Sequence, residues 1–172
     1  EAGINNLEYP TPFWLITKEE KEEAREFLKE INPLKKETIA IQVRSNDIRR
    51  TWPLSRLKEY IQLLLDTQKF LVFVFDWGGD TAKVEFESPL YFKFDNLEYE
   101  KTAAIIELVD LVVTPDSSML HLAGALNKKI VSIFGPIPPQ SRINHYPNAI
   151  AITKNLPCQY CFYTPSCVSS ND

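Results

Sequence analysis

The apolar positions of this chain fall into two recurring patterns. Short runs that are almost wholly apolar occur at residues 38–43, 70–76, 111–114 and 130–134, and they are rich in β-branched and aromatic side chains. Runs of that length without polar alternation suit strands buried on both faces of a parallel sheet. Weaker strands are predicted at 91–94 and 149–153. Between the runs, apolar residues recur at helical intervals and predict helices near 55–65, 99–109 and 117–126. Another amphipathic helix precedes them all. Thr17-Lys18-Glu19-Glu20 has capping-box spacing, Ala24, Phe27, Leu28 and Ile31 share one face, and Asn32-Pro33 ends the pattern.

Strands alternating with helices imply an α/β fold, a Rossmann-like doubly wound and mostly parallel sheet. Ligands of such sheets lie beyond the carboxyl ends of the strands, which directs attention to the loops at 44–53, 77–80, 115–118 and 135–142. Tyr9-Pro10-Thr11-Pro12 is stiff and extended, so residues 1–16 are expected to be an interdomain linker and 17–172 a single domain. The chain opens on Glu1 and stops soon after its cysteines, and it is expected to be part of a longer protein.

Composition narrows the partners. The 172 residues are 44% hydrophobic and 24% charged, as an ordinary globular domain requires, and no apolar stretch or leader suggests a membrane span or a signal peptide. A net charge of -4 argues against nucleic acid and anionic lipid as partners, so an anionic ligand must be caught locally. All 3 cysteines fall between Cys158 and Cys167; an odd, clustered count fits the reducing cytoplasm rather than a secreted disulfide framework.

Chemistry concentrates at the loops. Thr114-Pro115-Asp116-Ser117-Ser118-Met119-Leu120-His121 runs from a strand straight into a helix, whose first N–H groups, dipole and hydroxyls suit phosphate oxygens. His121 lies three and four residues beyond Ser118 and Ser117, on nearly the same helical face. Taken alone, the segment reads more readily as an Asp cap followed by a surface or core histidine. The loop after the first sheet strand carries Arg44, Arg49 and Arg50 ahead of Trp52-Pro53, with Ser45, Asn46 and Asp47. Arginine suits bidentate phosphate contact, although a solvated charged loop has the same composition. Trp77-Gly78-Gly79-Asp80 and the Phe134-Gly135-Pro136 turn leading to Arg142 are weaker signals of the same kind. A structural zinc site needs four ligands, and Cys158, Cys161 and Cys167 are three; His145 or a residue beyond Asp172 would have to be the fourth, and thiols are expected instead.

In order and spacing, these features resemble the C-terminal domain of glycosyltransferase family nine, the ADP-heptose:lipopolysaccharide heptosyltransferases. The resemblance covers residues 38–167 and rests on the run from Asp116 to Leu126, the Phe-Gly-Pro turn ending at Pro136, Arg50 before Trp52-Pro53, and the Cys-x-x-Cys tail. It implies the C-terminal half of a GT-B glycosyltransferase, with the acceptor site and a general base in an N-terminal domain absent from this chain. Ser117, Ser118 and the Met119 backbone would hold a diphosphate, and Asp116 and His121 would face the donor sugar. Arg50 would offset phosphate charge beside Ser45 and Asn46, Leu97 would lie against the base, and Asp80 is the nearest match to a ribose-binding acid. Arg50 departs from the family lysine. The implied reaction is inverting sugar transfer from a nucleotide sugar such as ADP-heptose to a glycan or lipopolysaccharide-core acceptor, with no cofactor or metal required. Peripheral membrane association of the longer protein is compatible with that role. The alternative is a non-catalytic nucleotide- or sugar-binding domain of the same fold.

Overall fold

A computed structural model describes residues 12–77 and 84–161. In chain order the elements are α1 (Lys18–Ile31), β1 (Glu37–Gln42), α2 (Leu54–Asp66), β2 (Phe70–Asp76), β3 (Tyr91–Asp95), α3 (Tyr99–Leu108), β4 (Leu111–Pro115), α4 (Ser118–Ala125), β5 (Ile130–Phe134), α5 (Gln140–Ile143) and β6 (Ala149–Thr153). A one-turn 3-10 helix, Ile48–Arg50, follows β1.

The strands form one six-stranded sheet in the order β3-β2-β1-β4-β5-β6. Every pairing is parallel, where a mostly parallel sheet was expected. From β1 the chain winds outward to β2 and β3, then returns to β4 and winds the other way, so the order reverses between β1 and β4. Right-handed crossovers put α2 on one face and α3 with α4 on the other. The capping box of α1 is formed: Glu20 N–H donates to Thr17 Oγ1 at 3.2 Å, and Thr17 N–H donates to Glu20 Oε2 at 2.7 Å. Its apolar face lies against the sheet and α3, with Phe27 edge-on to Phe92 and Phe94 of β3.

The core explains the unbroken apolar runs. Leu71, Val72, Phe73, Val74 and Phe75 of β2 are all fully buried, so both faces of this strand are covered. β6 differs because it is an edge: Ala149 and Ala151 pack inward while Ile150 and Ile152 face solvent. The sequence showed neither short helix near the site. One turn is held by Asp47, whose carboxylate accepts the Arg49 N–H at 2.9 Å, and α5 starts from Pro139.

Candidate functional site

Where the strand order reverses, the ends of β1 and β4 diverge and leave a cleft of about 420 Å³. Gln42, Ser45, Asn46 and Arg50 form one side, and Asp116, Ser117, Ser118 and His121 form the other. Thus seven of the expected residues, from segments some 70 positions apart in sequence, line one space. Asp80 and Cys167 lie outside the described residues. Met119 does not reach the cleft through its side chain, which is buried in the core; only its backbone belongs to the helix start. Leu97 is also not a wall of the cleft: it packs on the core, and its carbonyl accepts from Trp77 Nε1 at 2.9 Å.

Trp77, Tyr99, Arg44 and Arg142 complete the lining; Arg44, Trp77 and Arg142 lie in loops the sequence had singled out, and Tyr99 does not. The Trp77 and Tyr99 rings lie 5.7 Å apart at an interplanar angle of 9°, and Trp77 stacks in turn on Phe75. An aromatic wall therefore rises from the ends of β2 and β3 and finishes in Tyr99, which is exposed.

Asp116 organises the centre. Its side chain is almost fully buried yet meets two guanidinium groups, Arg50 Nη1 at 3.4 Å and Arg142 Nε at 3.5 Å. Its carbonyl accepts from Ser45 Oγ at 3.0 Å and from Arg50 Nη1 at 3.1 Å. The loop after β1 is thereby latched to the start of α4. That loop is closed by Thr51, which accepts the Ser45 N–H at 3.2 Å. Arg49 does not join Arg50 in the cleft: its guanidinium is held by Asp47 at 2.8 Å, and this donor, with the Arg49 backbone N–H, pulls the Asp47 pKa down to about 2.

The start of α4 carries no side-chain cap. The Ser117 hydroxyl, which could have capped it, lies instead 3.0 Å from Thr114 Oγ1. Ser117 and Ser118, at the start of α4 and the positive end of its dipole, line the cleft together with Arg50. Arg50 also has a buried Nε–H that no group among the described residues accepts. His121, one turn further along, is open on its cleft side and contacts the Tyr146 hydroxyl through Nδ1 at 3.1 Å. The covered part of its ring pushes the His121 pKa below its ordinary value; Asp116 opposes this, and Arg142 and His145 add to it.

Among the described residues no group of three or more His, Cys, Asp and Glu is placed to hold a metal ion. Cys158 and Cys161 are half-buried and not joined by a disulfide, and the His145 ring packs on Tyr146 at 4.1 Å between centroids. No helix among the described residues is long and apolar enough to cross a membrane.

A six-stranded parallel sheet with a polar, arginine-rich cleft at its switch point defines a doubly wound α/β protein. The chain belongs to glycosyltransferase family 9 (heptosyltransferase), whose family model matches residues 2–170. Among solved structures it is similar to E. coli ADP-heptose lps heptosyltransferase II, with a TM-score of 0.70 and 18% identity over 86% of this chain and 47% of that one. It is similar to the glycosyl transferase family 9 protein from Veillonella parvula, with a TM-score of 0.69 and 18% identity over 82% of this chain and 42% of that one. E. coli heptosyltransferase WaaC, solved with ADP-2-deoxy-2-fluoro heptose, gives a TM-score of 0.59 and 19% identity over 75% of this chain and 40% of that one. The chain spans less than half the length of these structures. No curated protein sequence matches it.

Proposed function

We propose that this chain is the donor-binding half of an inverting, heptosyltransferase-like enzyme, and that the cleft between β1 and β4 holds the diphosphate of a nucleotide sugar such as ADP-heptose. One observation carries this reading: the uncapped start of α4 and the guanidinium of Arg50 converge on the same cleft. Backbone N–H groups of Ser118 and Met119, with the hydroxyls of Ser117 and Ser118, would bind the phosphate oxygens. Arg50 would offset their charge, and Asp116 and His121 would face the sugar. Asn46 stands at the cleft rim beside Ser45, and Asp80 remains the candidate for the ribose. The Tyr99 end of the aromatic wall offers a surface for the base, the role first expected of Leu97.

Transfer requires the diphosphate to leave as its bond to the anomeric carbon breaks. The negative charge that develops there would be met by fixed N–H donors and arginine, which supply the stabilisation without a divalent ion. The group that takes the proton from the acceptor hydroxyl is assigned to a preceding domain, together with the binding of a glycan or lipopolysaccharide-core acceptor, and the site of action to the cytoplasm. Calorimetric titration of the chain with ADP, UDP, GDP and ADP-heptose tests the donor reading. Binding of at least one diphosphate is expected, and Arg50→Ala should weaken it by about 1–3 kcal/mol, the range for a charge-assisted hydrogen bond. Absence of binding by all four, or undiminished affinity in the variant, would remove the assignment.

A further inference from the structure

The His121 ring lines the cleft, and its far edge is engaged by a residue from a distant part of the chain. Tyr146 lies between α5 and β6, 25 positions beyond His121, with its backbone pinned at both sides: its N–H donates to the Ile143 carbonyl at 2.8 Å, and its carbonyl accepts from Ala149 N–H at 3.1 Å. It is 4% exposed. Its ring fits against α4 because position 124 is glycine: a Cβ there would stand 2.5 Å from Cδ1 and Cζ of the tyrosine. The same placement brings the Tyr146 hydroxyl 3.1 Å from His121 Nδ1.

A buried phenol must place its proton on an acceptor. Among the described residues the structure gives the Tyr146 hydroxyl one partner, His121 Nδ1. If Nδ1 carried the imidazole proton, two hydrogens would face each other or the phenol proton would be left unplaced. We propose that Tyr146 is a positioning residue for His121: its hydroxyl donates to Nδ1, so the neutral ring carries its proton on Nε2 and presents that N–H to the cleft. Combined with the donor reading above, on which this last step rests, Nε2–H would donate to an oxygen of the bound nucleotide sugar. His121 thereby acts as a fixed neutral donor beside the cationic Arg50 rather than as a further positive charge.

The charged and titratable groups facing the ring are Asp116 at the end of β4, Arg142 of α5 and His145 in the following loop. None of them touches Nδ1 in the structure. A phenol that donates to Nδ1 stabilises the uncharged ring, so losing the hydroxyl must raise the His121 pKa; losing an acceptor, or merely a filler, would lower it or leave it unchanged.

The chain has 2 histidines, so their imidazole nitrogens can be assigned with His145→Gln as control and followed by ¹H–¹⁵N NMR without any ligand. Above its pKa, wild-type His121 should show a protonated Nε2 and an unprotonated Nδ1. Tyr146→Phe should then raise the His121 pKa by about 0.5 to 1 pH unit, one neutral hydrogen bond converted at 1.36 kcal/mol per unit. A proton on Nδ1 in the wild type overturns the proposal whether or not the variant folds, and so does a pKa that falls or stays in Tyr146→Phe. Because these spectra need no nucleotide, they are independent of the donor reading, which the calorimetry above decides. If a nucleotide binds, Tyr146→Phe should reduce its affinity by about threefold to tenfold, the loss of one oriented neutral donor.

Discussion

Gly135 occupies a position where a side chain does not fit. A Cβ would stand 2.5 Å from the backbone carbonyl oxygen of Arg49, and that contact cannot be relieved by turning a side chain. Gly135→Ala should push the Arg49-Arg50 turn away from β5. It should destabilise the chain by about 1–3 kcal/mol, the usual cost of overpacking, as read by denaturant unfolding. Since Arg50 moves with the turn, the same variant should also bind nucleotide more weakly. Acid exposes a second single-residue effect. The Asp47 pKa is held at about 2 instead of 3.8, so its contribution to stability is complete above pH 3.8 and is lost as pH falls toward 2. The stability gap between wild type and Asp47→Asn should therefore shrink on acidification through that window, and a constant gap would contradict the Arg49 pairing. His121 acts in the same sense at higher pH: its pKa is depressed, so its contribution is present above its ordinary range and is lost as pH falls through the lower folded value.

At the scale of elements, the strand and helix cores lay open in the sequence because each stretch reports its own burial. A run such as Leu71-Val72-Phe73-Val74-Phe75 has no polar side to turn outward, whatever surrounds it. The Asp116-to-His121 part of the site was legible for the same local reason, since one strand-to-helix junction fixes its geometry. Arg50 was legible as a charge near an aromatic-proline pair, but its engagement with the Asp116 carbonyl, 66 positions away, was not. Tyr99, Arg142 and Tyr146 acquire meaning only through neighbours distant in sequence, and no periodicity records those contacts. The Phe75-Trp77-Tyr99 stack leads to a prediction about the wall it forms. Tyr99→Ala should lower affinity for a nucleoside diphosphate by about 0.5–1.5 kcal/mol, the range for an aromatic pair, while leaving inorganic pyrophosphate unaffected. Calorimetry with both ligands separates base contact from phosphate contact, and equal losses for the two would count against a base on this wall.

For the whole molecule, a nucleotide that binds only the folded chain should stabilise it by mass action, by about 2.7 kcal/mol at a hundred times its dissociation constant. Thermal melts with increasing ADP-heptose measure this directly. Transfer is a different matter. Asp116 is enclosed by two arginines, and the proposed function puts His121 on the donor side, so on that reading neither would deprotonate an incoming hydroxyl. The chain incubated with ADP-heptose and a lipopolysaccharide-core acceptor should yield no product by mass spectrometry, and robust turnover would contradict the assignment of the base to another domain.

The sheet is not equally strong across its width. β1 and β2 are registered over six residues, from Glu37 with Phe70 to Gln42 with Phe75, but β1 and β4 over three, from Ile39 with Leu111 to Ile41 with Val113. This shortest ladder is also the line where the winding reverses, and the cleft opens at its end. Under tension applied through residues near α1 and β6, the molecule should tear there first, like cloth along a seam. Ser45 and Arg50 on one bank grip the Asp116 carbonyl on the other, and a diphosphate lodged between them would add a rivet to the same seam. Single-molecule pulling should then find a higher rupture force with nucleotide present, and the gain should vanish in Arg50→Ala.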